Sequence, residues 1–166
     1  MKVSVRRGKR SDARAFLHLV DALAHFEKLT PPDAGTRRRL LEDVFVRKRL
    51  GLFVAALGEE VLGYALYFYS YSSFLGRPTF YLEDIFVLGE HRGTGVGSSL
   101  FRRCLEEAET QGCGRMEWAV LDWNRKAIGF YERLGARRLE EWHYYRLERG
   151  QFRKSGEALR RRPRNA

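Results

Sequence analysis

Cysteine is scarce in this 166-residue chain: Cys104 and Cys113 are its only two, spaced unlike a CxxC redox or zinc motif and too few for a disulfide framework. Both are expected to be reduced and structural. The four histidines, His18, His25, His91 and His143, are scattered and form no HxH or HExxH group, so no metal is expected. Long hydrophobic runs are missing too. The longest apolar region, Val61 to Gly76, is broken by Gly63, Ser70, Ser72 and Ser73 and is too short to span a bilayer. Met1 to Arg7 lacks the apolar stretch of a signal peptide, and a soluble, cytoplasmic location without membrane contact is the expectation.

What is present suits a folded domain, with 44% hydrophobic and 13% aromatic residues. The formal charge of +10 is unevenly placed. From Arg149 onward seven basic residues face one acid, Glu157, so this end carries +6 and residues 1 to 148 only +4. The split implies a domain over 1–148 and a mobile basic tail over 149–166. A solvated end is the favoured reading of that tail over contact with nucleic acid, which would place its charge among aromatics in the folded body.

No repeat or Pro/Gly/Ser-rich linker divides residues 1–148, and the periodicity alternates between two and about 3.6, the mark of one mixed α/β unit. Val3 and Val5 open a strand. Ser11 is placed to cap a helix whose apolar face is Phe16, Leu19, Val20, Leu23 and Phe26, ended by Pro31-Pro32. A second helix near Thr36 precedes a hairpin, Leu52–Leu57 and Val61–Tyr71, joined at Gly58-Glu59-Glu60. Phe80 to Leu88 reads as a buried strand, apolar except for Glu83 and Asp84. A helical stripe of Val96, Leu100, Cys104, Leu105 and Ala108 follows, with Arg102, Arg103, Glu106 and Glu107 opposite. Met116–Leu121 is the next strand, 124–134 a short helix stopped by Gly135, and Trp142–Leu147 a strand that closes the sheet.

The most informative segment is Arg92-Gly93-Thr94-Gly95-Val96-Gly97-Ser98, between a strand and an amphipathic helix. Glycines let backbone approach a ligand, and N–H groups at a helix start suit phosphate oxygens. No Gly-Lys-[Ser/Thr] closes a Walker A loop, and the glycines come too late for a Rossmann fingerprint. The competing reading is a glycine-rich turn that merely packs tightly.

This segment resembles the signature [Gln/Arg]-x-x-Gly-x-[Gly/Ala] of the GNAT acetyltransferases. Tyr81-Leu82-Glu83-Asp84-Ile85-Phe86-Val87, Ala119-Val120-Leu121-Asp122-Trp123-Asn124 and Phe130-Tyr131-Glu132-Arg133-Leu134-Gly135-Ala136 are similar to its spermidine/spermine branch. Tyr69 to Arg77, Leu121 to Asn124 and Glu141-Trp142-His143 are most like the members that acetylate thialysine and related small amines. The resemblance implies an α/β (α+β) fold, with a mixed, mostly antiparallel sheet flanked by helices. It also implies a homodimer, for which the aromatic strand Tyr64 to Tyr71 offers a surface.

The implied reaction is acetyl transfer from acetyl-CoA to a primary amine. Backbone N–H groups from Arg92, Gly93, Thr94, Gly95, Val96, Gly97 and Ser98 would hold the diphosphate. Ile85, Phe86 and Val87 would pair with the pantetheine as with an added strand, and Asn124 with Arg125, Lys126 and Ala127 would meet the arm's other side. An alkyl amine, with pKa near ~10, needs a base before it attacks. Glu83 matches the family's acid, acting through a water, and Tyr131 the tyrosine that protonates the leaving thiolate. Alternatively Glu83 only pairs with the substrate cation, and Tyr131 is a core tyrosine. The pleat sends Glu83 and Asp84 to opposite faces. The amine pocket would add Phe26, Glu27, Ser72, Glu117, Trp118, Ala119 and Trp142. Ser72 stands where polyamine-preferring members carry an acid, Glu27 could be a solvated helix acid, and Trp142 either closes the pocket or packs in the core. The alternative functions are polyamine N-acetylation and a non-catalytic acyl-CoA sensor, which would not need Glu83 and Tyr131 together.

Overall fold

The computed structural model describes residues 2–161. Residues up to Ala119 form one unit around a sheet of β1 (Ser4–Arg7), β2 (Gly51–Leu57), β3 (Glu60–Ser72), β4 (Arg77–Val87) and β5 (Arg115–Trp118), in that order. The first four pair antiparallel through short turns or returning helices. β5 joins β4 parallel, because the crossover between them runs through a helix. This is the mixed, mostly antiparallel sheet that the resemblance implies.

α1 (Ala13–Phe26) and α2 (Ala34–Phe45) bring Phe16, Leu19 and Val44 onto one face, against Val54, Tyr64, Leu66 and Phe86. The opposite set of strand residues, Phe53, Tyr67 and Phe80, stacks into a column with ring centroids 5.0 and 4.5 Å apart. α3 (Val96–Thr110) covers that face with Val96, Leu100, Phe101, Cys104 and Ala108. Gly51 is glycine for space, since a Cβ there would lie 2.1 Å from the Tyr67 ring.

α3 also corrects the expected stripe. Leu105 is exposed, whereas Glu107 is buried. The carboxylate is tolerated because it accepts from Arg7 Nη2 at 2.6 Å and Arg103 Nη2 at 3.0 Å. Those cations hold Glu107 below the usual carboxylate range against the burial that opposes them.

Three further expectations are revised. Ser11 does not cap α1: a 3-10 turn over Arg10–Asp12 precedes it, and Asp12 accepts from Lys9 N and from Arg6 at 2.7 Å. β5 ends at Trp118, not Leu121, for a reason that lies in β4 and is given below. Residues 120–161 form a second unit holding α4 (Arg125–Arg133) and α5 (Phe152–Arg161). Trp142–Leu147 is not a strand. Tyr144 and Tyr145, of opposite parity, are 80% and 92% exposed, so neither face of the segment is buried. The basic end is helical over Phe152–Arg161. It is led in by a 3-10 turn where Glu148 N donates to Gln151 Oε1 at 2.7 Å, a box visible as Glu-x-x-Gln. Arg162 and Arg164 lie outside the described residues.

Candidate active site

β4 has a strand on each side only as far as Leu82. Its parallel pairing with β5 stops at Leu82–Trp118, while its pairing with β3 continues to Val87–Gly63. At the parting point the register with β3 jumps. Leu66 faces Asp84 and Tyr67 faces Leu82, leaving Glu83 as the extra residue of a β-bulge. Bulges bend the strand that carries them, and β5 ends where β4 turns away.

The bulge replaces the simple pleat expected of Glu83 and Asp84. Leu82 lies opposite Tyr67 on the α3 face, yet Asp84, two residues on, meets Tyr64 on the α1 face. Glu83 stands exposed between them. The Tyr64 hydroxyl donates to Asp84 Oδ2 at 3.2 Å. Burial, followed by the charges of Glu83 and Glu27, pushes Asp84 up to about 6. Glu27, the residue after α1, is raised by burial, and Tyr64 is raised by burial and by all three carboxylates. Glu27, Glu83 and Asp84 therefore share one electrostatic neighbourhood at the end of the paired sheet. The sequence offers Asp84 no role beyond the opposite face from Glu83, and Tyr64, expected on a pairing surface, is instead fully buried. The signal was two adjacent acids in a buried strand, which a regular pleat cannot serve.

β4 leads through a 3-10 turn, Gly89–His91, into the glycine loop. Gly93 and Gly95 have φ of 79° and 88°, and a Cβ on either would meet nothing within 4 Å. Their identity comes from a left-handed backbone facing open space, which removes tight packing as the reason for them. α3 starts at Val96, so the N–H groups of its first turn have no carbonyl partner in a preceding turn. Thr94 Oγ1 donates to His91 O at 2.7 Å. Arg92 is turned elsewhere: Nε donates to Val87 O at 2.9 Å and the guanidinium lies 4.4 Å from the Phe26 ring centroid. Ile85, Phe86 and Val87 pair with Ala65, Tyr64 and Gly63 on one side, and no strand pairs with them on the other among the described residues.

Other expected pocket residues have local duties. Glu117 forms an ion pair with Arg115 at 2.8 Å, Trp118 packs edge-on against Phe101 at 5.4 Å, and Ala119 is exposed past the end of β5. Ser72 pairs with Arg77 at the far end of the hairpin, where its Oγ accepts from Leu75 N at 3.2 Å. Six residues of strand, roughly 20 Å, separate that place from Glu83, so one chain does not bring them together. In the second unit Asn124 caps α4, its Oδ1 accepting from Ala127 N at 3.3 Å. Arg125, Lys126 and Ala127 form the first turn, and Tyr131 lies edge-on to Phe130 at 5.4 Å. Trp142 is 70% exposed.

The model of the Acetyltransferase (GNAT) family matches residues 18–136. The chain belongs to the GNAT acetyltransferases. The thialysine N-epsilon-acetyltransferase of Bos taurus is 38% identical over 170 aligned positions, covering 95% of each chain. The spermidine/spermine N(1)-acetyltransferase-like protein 1 of Homo sapiens is 30% identical over 156 positions, covering 87% of this chain and 22% of that protein. In structure the chain is similar to AAC(6')-Iy solved with a bisubstrate analogue, CoA-S-monomethyl-acetylneamine, with a TM-score of 0.75, 20% identity and coverage of 89% and 99%. That last likeness is one of fold. This GNAT chain is thus an enzyme of acetyl transfer to an amine, related to the spermidine/spermine branch, and acetyl-CoA is the donor of its fold. The open left-handed glycines and the start of α3 fit the donor's diphosphate. Among the described residues no three His, Cys, Asp or Glu side chains group as a metal site, and no helix is long and apolar enough to cross a membrane.

Proposed function

We propose that the chain acetylates the primary amine of a small molecule, a thialysine-like amino acid or a short diamine, by direct attack on acetyl-CoA. The observation that carries this reading is the parting of β4 from β5 at Glu83, with three carboxyls on one side and the glycine loop beyond. Bound acetyl-CoA supplies the thioester carbon that the amine attacks. Residues 92–98 receive its diphosphate at the start of α3, and the unpaired side of Ile85–Val87 offers backbone groups to its extended arm. Asn124 to Ala127, at the start of α4, are assigned to acetyl-CoA by the family resemblance.

Glu27, Glu83 and Asp84 attract the ammonium, and Glu83, the exposed one at the bulge, takes its proton through a water. Tyr131 returns a proton to the departing thiolate. The amine class is supported by the 38% identity to an enzyme named for thialysine. Three carboxyls exceed what one ammonium needs, which favours polyamine acetylation as the second reading. The protein works as a cytoplasmic homodimer, and the exposed part of the aromatic hairpin, Tyr69 to Leu75, is the surface for pairing. A thiol-release assay with acetyl-CoA tests the reading across thialysine, lysine, short diamines, spermidine and spermine. kcat/KM is expected to be highest for thialysine or a short diamine. A maximum at spermine selects the second reading, and no thiol release with any amine rejects both.

A further inference from the structure

We propose that Arg92 is a positioning residue, whose guanidinium docks the glycine loop onto Phe26 at the end of α1 and so shapes the acyl-CoA site from the helix that leads to Glu27. The inference rests on the reading of residues 92–98 as the diphosphate loop, and assigns the side chain of Arg92 a different duty from the backbone around it. Its Nε–H is committed to Val87 O at 2.9 Å, which fixes the plane of the guanidinium. In that plane the group lies 4.4 Å from the Phe26 centroid and 5.1 Å from that of Phe86. The two rings are 6.3 Å apart and tilted by 56°, so the cation faces both. Three segments meet on this one side chain: the last residue of α1, the end of β4 and the first residue of the loop.

The loop needs such a tether. Gly93 and Gly95 have no side chains to anchor it, and both sit in open space. Cation–π contact and a planar Nε–H are properties of arginine that lysine reproduces poorly, lacking both the flat face and the fork. A residue acting on phosphate by charge alone would tolerate lysine.

The test measures the affinity of free CoA by calorimetry with no amine present, so that the amine pocket does not enter. Phe26→Leu removes one aromatic wall and changes no charge, and is expected to weaken CoA binding about three- to tenfold. Arg92→Lys should weaken it as much as Arg92→Gln. Thermal melts confirm that each variant is folded, and Phe26→Met serves in place of a leucine variant that is not. Unchanged CoA affinity in the folded Phe26 variant, or wild-type affinity in Arg92→Lys beside a loss in Arg92→Gln, overturns the docking role and leaves Arg92 a charge. Gly95→Glu is the control for the underlying reading. It puts a negative side chain on the loop and should cost at least about tenfold in CoA affinity. If it costs nothing, the loop assignment itself falls, with the docking proposal resting on it.

Discussion

Glu83 and Asp84 are adjacent carboxyls with separate tasks, which the bulge makes possible. If Glu83 removes the proton from an amine of pKa about 10, its loss matters most where free amine is scarcest. Glu83→Gln should therefore lower kcat/KM by roughly 10²-fold near pH 7, with much of the loss recovered toward pH 9. An equal loss at every pH would make Glu83 a cation partner only. Asp84 leaves its mark on stability instead. Its folded pKa of about 6 lies above the unfolded value, so the ionised form is disfavoured in the fold and stability rises as pH falls from above 6 toward 4. Asp84→Asn, which keeps the shape and drops the charge, should raise stability by roughly 1–2 kcal/mol at pH 8. The gain should fade between about pH 6 and 4, as the wild-type carboxyl becomes protonated in the folded state first and, below about 4, in the unfolded state as well. Denaturant curves of both proteins at pH 4.5, 6 and 8 decide it, and a gain that grows at low pH refutes the assignment.

At the level of elements, the middle ring of the aromatic column, Tyr67 between Phe53 and Phe80, lies over Gly51, where there is no side chain. Gly51→Ala places a carbon 2.1 Å from a ring that is already stacked, so Tyr67 has no room to yield. The substitution should cost roughly 1–3 kcal/mol by urea unfolding; a neutral result would mean that β2 shifts along β3. The elements whose periodicity is set by neighbours close in sequence were legible before the structure: the β2–β3 hairpin at Gly58, α1 by its apolar stripe, and the glycine loop at the start of α3. Those fixed by a distant partner were not. Glu107 reads as a solvent residue until Arg7 is seen beside it. The bulge at Glu83 exists only as a mismatch between β3 and β4, and the sequence of either strand alone is silent about it. Trp142 to Leu147 shows the converse failure, a strand-like composition that forms no strand among the described residues. Ser72 was read by motif position, which says nothing of the length of hairpin between it and Glu83.

In the whole molecule, burial fades along the aromatic hairpin. Tyr64 and Tyr67 are in the core, while Tyr71 is 67% and Phe74 fully exposed. An apolar tip of this kind is what a second copy would cover. Phe74→Ser should shift a dimer toward monomer in sedimentation equilibrium at micromolar concentration without lowering the melting midpoint of the monomer. An unchanged mass would place the interface elsewhere. The pair of Arg7 and Glu107 has a consequence in time. The first strand leaves the ribosome with a guanidinium whose carboxylate is encoded 100 residues later. At ordinary synthesis rates roughly 5–20 s separate the two. During that interval β1 can zip onto β2 as soon as residues 53–56 emerge, but the face it offers to α3 stays open to water. The closing of α3 over this face therefore waits for the arrival of one acid. A nascent chain stalled before residue 107 should expose the Phe53–Tyr67–Phe80 column to a hydrophobic dye, and one stalled well beyond it should not.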